Sequence, residues 1–259
     1  MFKHKYLYWQ WLKRDVAGRY QGSVLGLLWP ILQPAIQILV FTLIFYEFMQ
    51  MRWPTAGSKG DALDYGLNVF AGLAVFNFFA EVLGRAPIAI LSQPNLVTKV
   101  RFPLALLPAV TVGGALVHIV VGSVSLVLLV AIFRDVSWMM LWLPVFLLPL
   151  IFYGLAVALL LASLGVYLRD IGQIMPSVTS ILMFLTPIFY PATAIPKSLT
   201  FLFELNPVGW GAQTLRSLLL EAALPSLGGL WLHGAASIVL MIFARYVFKR
   251  LENGFSDVL

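Results

Sequence analysis

Between Leu104 and Phe133 the chain runs for 30 residues without one Asp, Glu, Lys or Arg. A helix rises about 1.5 Å per residue and the hydrocarbon core of a bilayer is roughly 30 Å thick, so about 20 apolar residues suffice to cross it. A run of this length and composition is read as a membrane-spanning helix, whose backbone polar groups satisfy one another where no water can. Five other apolar runs meet the same criterion. The expected spans are Leu28–Phe48, Gly66–Leu83, Leu104–Phe133, Met139–Leu168, Gly172–Tyr190 and Leu230–Phe248. The third and fourth exceed the bilayer and are free to tilt.

Composition agrees, with 61% hydrophobic residues, 11% charged residues and a mean hydropathy of +0.91, against about 25% charged in soluble domains. The expected fold is an all-α integral membrane protein with six transmembrane helices, and no soluble domain fits between them. The basic beginning reaches Arg19, the apolar run behind it is longer than a signal-peptide core, and no small-residue cleavage site follows promptly. The first span is therefore expected to be retained. The absence of cysteine excludes disulfides, Cys-ligated zinc and iron–sulfur sites.

A net charge of +6 beside apolar spans points to anionic lipid headgroups rather than nucleic acid. Twelve of the 17 Lys and Arg residues fall on one side: Lys3, Lys5, Lys13, Arg14, Arg19, Arg85, Lys99, Arg101, Arg169, Arg245, Lys249 and Arg250. Five fall on the other, namely Arg52, Lys59, Arg134, Lys197 and Arg216. Both termini are expected to be cytoplasmic.

On a helix over Lys3–Tyr20, the residues Trp9, Leu12, Val16 and Tyr20 share one face, with Lys3, Gln10, Arg14 and Gly18 opposite. With Tyr8, Trp9 and Trp11 suited to an interfacial belt, residues 1–22 are expected to form an amphipathic helix in the headgroup plane, ahead of a membrane domain over 23–259. Gly22, Ser23 and Gly26 let the backbone turn, or another helix approach, before Trp29 anchors at the interface and Pro30 opens the first span.

Chemistry is sparse. None of the seven lysines follows a glycine, so the phosphate-binding loop of an autonomous ATPase is absent. His4, His118 and His233 are far apart and form no metal motif, so neither a catalytic nor a metal site is expected. Glu47, Glu81, Asp135 and Asp170 stand at span ends, and no span carries paired carboxylates, which argues against an ion-coupled carrier or an Asp-rich prenyl-phosphate enzyme. His118 lies deep in the third span. It is either a functional intramembrane group or a neutral imidazole in a tight helix contact, flanked by Gly114 and Gly122.

In the fourth span Gly154, Ala158, Ala162 and Gly165 make a small-residue stripe for close helix packing. In the first, Gln33, Gln37, Phe41, Phe45 and Phe48 fall within about one third of the helix circumference, by the helical repeat. Amides and aromatic faces suit a carbohydrate path. Equally, the glutamines can join helices while the phenylalanines face lipid.

Leu12-Lys13-Arg14-Asp15, Arg19-Tyr20, Gly22-Ser23, Leu25-Gly26 and Trp29-Pro30 together resemble the entry segment of ABC-2 type exporter permeases for cell-surface polysaccharides. Tyr167–Gly172, Pro187–Pro191, Asn206-Pro207 with Arg216, and the tail Phe255–Leu259 fit the same family in order. The resemblance implies a homodimer in the bacterial cytoplasmic membrane, paired with two copies of a separate ATPase subunit that binds ATP and Mg. The cargo would be a lipid-linked O-antigen or capsular polysaccharide, with teichoic acid or a small molecule as the alternative within the family. Outer-envelope export proteins are further implied partners. A passive pore or scaffold subunit is the reading from another class.

The resemblance also assigns roles. Arg14 and Arg19 would meet the lipid carrier's pyrophosphate at an entry that includes Tyr20 and Trp29. Gln33, Gln37, Phe41, Phe45, Phe189 and Tyr190 would line or gate the path. Asn95, Lys99 and Arg101 on one cytoplasmic loop, with Arg169 and Asp170 on another, would couple to the ATPase. Residues 191–229 would form a pair of re-entrant helices closing the outer mouth, as apolar segments too short to span twice must pack on protein or line water.

Overall fold

Proline, glycine and the charged turns cut the apolar sequence into helices, and no strand interrupts them among the described residues. The computed structural model describes residues 5–24, 28–53, 61–133 and 137–259. Lys3, His4, Leu25, Gly26, Lys59, Arg134 and Asp135 lie outside them, as do the side chains of Tyr20 and Pro30. The α-helices are α1 (Lys5–Tyr20), α2 (Trp29–Phe41), α3 (Ala62–Arg85), α4 (Pro94–Thr98), α5 (Leu106–Phe133), α6 (Leu143–Tyr167), α7 (Asp170–Leu185), α8 (Thr200–Leu205), α9 (Pro207–Leu219), α10 (Leu227–Glu252) and α11 (Phe255–Val258).

Among the described residues, four helical stretches are long and apolar enough to cross a membrane: Ala62–Ile88, Leu106–Phe133, Trp138–Tyr167 and Leu227–Glu252. They correspond to the second, third, fourth and sixth expected spans. The first expected span is α2 continued by a π-helical stretch over Thr42–Phe48, and the fifth is α7. Tyr190 is not in that fifth helix. It stops at Leu185, where Thr186 precedes Pro187 and adopts an extended conformation, the one that a following proline favours. At 16 residues α7 is about 24 Å long, short of a full crossing.

α3 is the hub. Its Phe70, Phe76, Phe78 and Phe79 are all buried, and it packs on α2, α5, α6, α7 and α9. Small residues let that happen: a side chain at Gly154 of α6 would strike the Phe78 ring, and one at Gly165 would strike the Pro87 carbonyl. Ala158 and Ala162 between them are fully buried, so the stripe in the fourth span is a packing surface. α6 also packs along α10, and α11 folds back onto α4 and the end of α6. Phe255 of α11 meets Phe248 and Tyr167, so the C-terminal tail sits beside the α6–α7 turn.

The segment expected to be two re-entrant helices is unequal. α8 has six residues with Phe201, Leu202 and Leu205 exposed, whereas α9 has 13 and is mostly buried against α3 and α6. Asn206 explains where α9 begins. Its side-chain oxygen accepts from the Val208 amide at 3.0 Å, capping the helix ahead of Pro207, and its amide donates to the Thr186 hydroxyl at 3.0 Å.

Arg216 of α9 overturns its place in the charge count. It is not an external loop cation but a fully buried side chain. Its guanidinium donates to the carbonyls of Asn68 (3.0 Å), Pro187 (2.8 Å) and Ile188 (3.1 Å), and stacks on Trp53 at 4.4 Å. Those carbonyls belong to α3 and to the irregular chain after α7, where a helix end leaves acceptors without partners. One side chain thus ties three segments. Replacing it by methionine leaves buried acceptors unmet, and Arg216→Met is expected to cost at least about 3 kcal/mol. Thermal unfolding of the detergent-extracted chain should show a sharply lower midpoint, with Arg216→Lys intermediate.

Candidate functional site

α1 docks on α5 by a face that polarity alone misassigns. Tyr8, Leu12, Asp15 and Arg19, at steps of four, three and four, turn toward α5, while Trp9 is exposed. Only Leu12 belongs also to the expected apolar face. The close approach depends on Gly113 and Gly114: a Cβ at Gly113 would collide with the Tyr8 hydroxyl, and one at Gly114 with the Arg19 guanidinium and the Asp15 carboxylate. Just beyond α1, Gly22 takes a positive φ of 83°, and the Trp29 indole donates to the Ser23 hydroxyl at 2.8 Å. That turn returns the chain to the start of α2.

The charged half of the α1 face is met by charges on α3. Arg19 donates to Asp15 at 2.7 and 3.0 Å and pairs with Glu81. Arg85 donates to Asp15 and to Glu81, each at 3.1 Å, and makes a second, shorter contact with Asp15. Two guanidiniums therefore share two carboxylates, and the four charges balance. His118 of α5 completes the group, with Nε2 3.6 Å from Glu81. All five side chains are partly buried. Burial pushes the Asp15 carboxyl up, but the Arg85 and Arg19 guanidiniums outweigh it and hold its pKa below the ordinary carboxylate value.

Two cavities flank this network. One, of about 400 Å³, is lined by Trp11, Arg14, Asp15, Arg19, Arg85 and Gln93 among others. The second, of about 470 Å³, is bounded by Arg19, Gln33, Asn77, Glu81, Arg85 and His118, with Phe70 and Ala74 completing its apolar wall. Arg19 and Arg85 line both. Chemically this is a charge-balanced partition between two polar chambers, able to receive an anionic or hydroxyl-rich group on either side.

The residues named from sequence divide among three places. Arg19 and Gln33 line the polar chambers, whereas Gln37 accepts a hydrogen bond from Asn77 at 3.1 Å. Arg14 is exposed and rests 5.5 Å from the Trp11 ring. Phe41 and Phe45 converge on Phe189, each with a 4.7 Å centroid separation, and the Phe45 and Phe189 rings are 9° from parallel. Phe189 is fixed in turn by the Tyr65 hydroxyl, which donates to its carbonyl at 2.7 Å. Phe48 points away and is exposed, and the Tyr190 hydroxyl bonds the Phe184 carbonyl at 2.8 Å.

Asn95, Lys99 and Arg101 are exposed on and after α4, and Arg169 and Asp170 on the α6–α7 turn. α11 contacts both α4 and α6, so these turns gather at the end where the C-terminal tail folds. Sequence reasoning left out Asp15, Asn77, Glu81 and Arg85 as site residues. The spacing of Glu81 and Arg85, one helical turn apart at the end of a span, and the acidic Asp15 four residues before Arg19, were the available signals.

The molecule is thus a polytopic helical membrane protein with an ion-paired seat between two polar cavities. The model of the ABC-2 type transporter family matches residues 6–220, and the chain belongs to that family. It is 28% identical over 260 residues to an O-antigen export system permease protein RfbA of Myxococcus xanthus, covering 99% of this chain and 96% of that one. Two proteins of the same description from Klebsiella pneumoniae are each 21% identical over 252 residues, covering 95% of this chain and 92% of theirs.

The seat makes a direct prediction. Asp15→Asn removes the charge facing both arginines, and Gly114→Val pushes α1 off α5. Each is expected to weaken docking by about 1 kcal/mol, a roughly fivefold rise in the undocked population. Hydrogen exchange of the α1 amides should quicken by that factor. Because the Asp15 pKa is depressed in the folded chain, wild-type protection should hold at neutral pH and fade only as pH drops below the ordinary carboxylate range.

Proposed function

We propose that this chain is the permease subunit of an ATP-driven exporter that carries a lipid-linked cell-surface polysaccharide across the bacterial cytoplasmic membrane. Family membership implies partnership with an ATPase subunit, and the relatives matched along their length, O-antigen export permeases, point to O-antigen as the cargo class. Within the molecule, the observation that carries the reading is the seat of α1: two polar chambers separated by two arginines, beneath a helix held by exchangeable ion pairs.

On this reading the carrier's pyrophosphate meets Arg14 and Arg19 in the chamber that they line together with Trp11 and Arg85, since guanidinium forks suit phosphate oxygens. Arg19 and Arg85, each shared by Asp15 and Glu81, also hold the seat of α1. Both termini are cytoplasmic, by the excess of Lys and Arg at that end. ATP and Mg bind the partner subunit, whose closure presses on Asn95, Lys99, Arg101, Arg169 and Asp170. Two protomers face each other through the exposed apolar surfaces of α2, its π-helical continuation and α7, where Leu39, Leu43, Ile181 and Phe184 are exposed. Their separation parts Phe41 and Phe45 from Phe189 and lets the glycan thread outward past α9.

Charge reversal at Lys99 and Arg101 places like charges on an acid-complementary docking surface, at a cost of several kcal/mol. The double variant Lys99→Glu, Arg101→Glu is expected to lose co-purification with the ATPase and to stop polysaccharide export. Phe41→Ala with Phe45→Ala should leave assembly intact and reduce export. Transport by the reconstituted chain without nucleotide hydrolysis would instead mark a passive pore.

A further inference from the structure

A groove of about 150 Å³ runs between the beginning of α5, the middle of α6 and the last turns of α10. Its walls are apolar, with Ala105 and Ala109 on one side, Leu159 beneath, and Met241 and Phe248 on the other. Its rim is charged. Met241, Arg245, Lys249 and Glu252 follow at steps of four, four and three along α10, so one stripe of that helix passes from apolar to cationic over about 12 Å. Arg245 and Lys249 are exposed, and among the described residues no carboxylate lies within ion-pair distance of either. Glu252, half-buried at the end of the stripe, feels Lys249 only at longer range.

We propose that this groove is a binding site for an anionic phospholipid with a hydroxyl-bearing headgroup, of the phosphatidylglycerol type. The acyl chain fills the apolar trough, the phosphate sits between Arg245 and Lys249, and a headgroup hydroxyl donates to Glu252. Three features argue for this occupant. An outward-facing trough in a membrane protein is filled by lipid chains, since an empty one forfeits dispersion contacts on every wall. The cations stand at the helix end, where headgroups lie, with the apolar part on the membrane side. The rim's net charge of one positive complements a lipid carrying one negative, and Glu252 has no role toward a bare phosphate but a clear one toward a hydroxyl donor. The site is separate from the α1 seat and does not depend on the function proposed above.

Native mass spectrometry of the full chain released from detergent tests it, with phosphatidylglycerol and phosphatidylethanolamine of identical chains offered in competition. Wild type is expected to retain the phosphatidylglycerol preferentially. Arg245→Gln with Lys249→Gln should abolish that preference, at about fivefold per charge removed. Ala105→Trp, an exposed position that closes the trough without touching a charge, should reduce retention of both lipids. Inorganic phosphate is the soluble arm and should not displace bound lipid. Equal retention of the two lipids by wild type, an unchanged preference in the double variant, or displacement by phosphate would each overturn the proposal.

Discussion

A charge removed from water must be met inside the protein, and in a membrane the alternatives are few: another charge, a set of carbonyls, or a cavity wet enough to keep water. The architecture follows from how this chain meets that requirement at two places. At one end Arg216 is surrounded by three backbone carbonyls and an indole. At the other, Arg19 and Arg85 are matched to Asp15 and Glu81 between two chambers. Helix packing through small residues fills the space between.

The two solutions differ in how readily they come apart. Arg216 is fully buried, and two of its acceptors, the Pro187 and Ile188 carbonyls, lie in the irregular chain after α7, so withdrawal would strand acceptors in a buried interior. The α1 seat is partly exposed and its four charges border a cavity on each side, so opening it costs little desolvation. The Arg216 end is therefore rigid and the α1 end movable. That difference lies in the burial of the pairs, not in their number.

The sequence made the membrane class and the apolar runs legible, because their signal is the absence of charge over lengths set by the bilayer. The helix end at Leu185 was also written, in Thr186-Pro187, but the apolar residues after it outweighed the proline in the reading. What could not be read were partnerships. Asp15 and Arg85 are 70 positions apart and Arg216 and Asn68 are 148 apart, and no local pattern says that they meet. Charged residues were sorted by rule into loops or headgroups, which put Arg216 outside and gave α1 an apolar inward face. Gly114 was read as a tight helix contact beside His118; that α1 supplies the contact became visible only in the fold.

The misassigned face of α1 carries a more general physical point. Amphipathicity predicts which side of a helix avoids water only when the surface it meets is apolar. Here the facing surface presents Glu81 and Arg85, so the inward side of α1 is complementary rather than hydrophobic, while Trp9 is left to the lipid interface. A helix held by complementarity keeps a specific register, because sliding by one turn would part Arg19 from Glu81 and Asp15 from Arg85. A greasy face would tolerate the slip. Under the proposed function, the entry helix can thus detach and return to one position, which a purely amphipathic helix floating in the headgroup layer could not do.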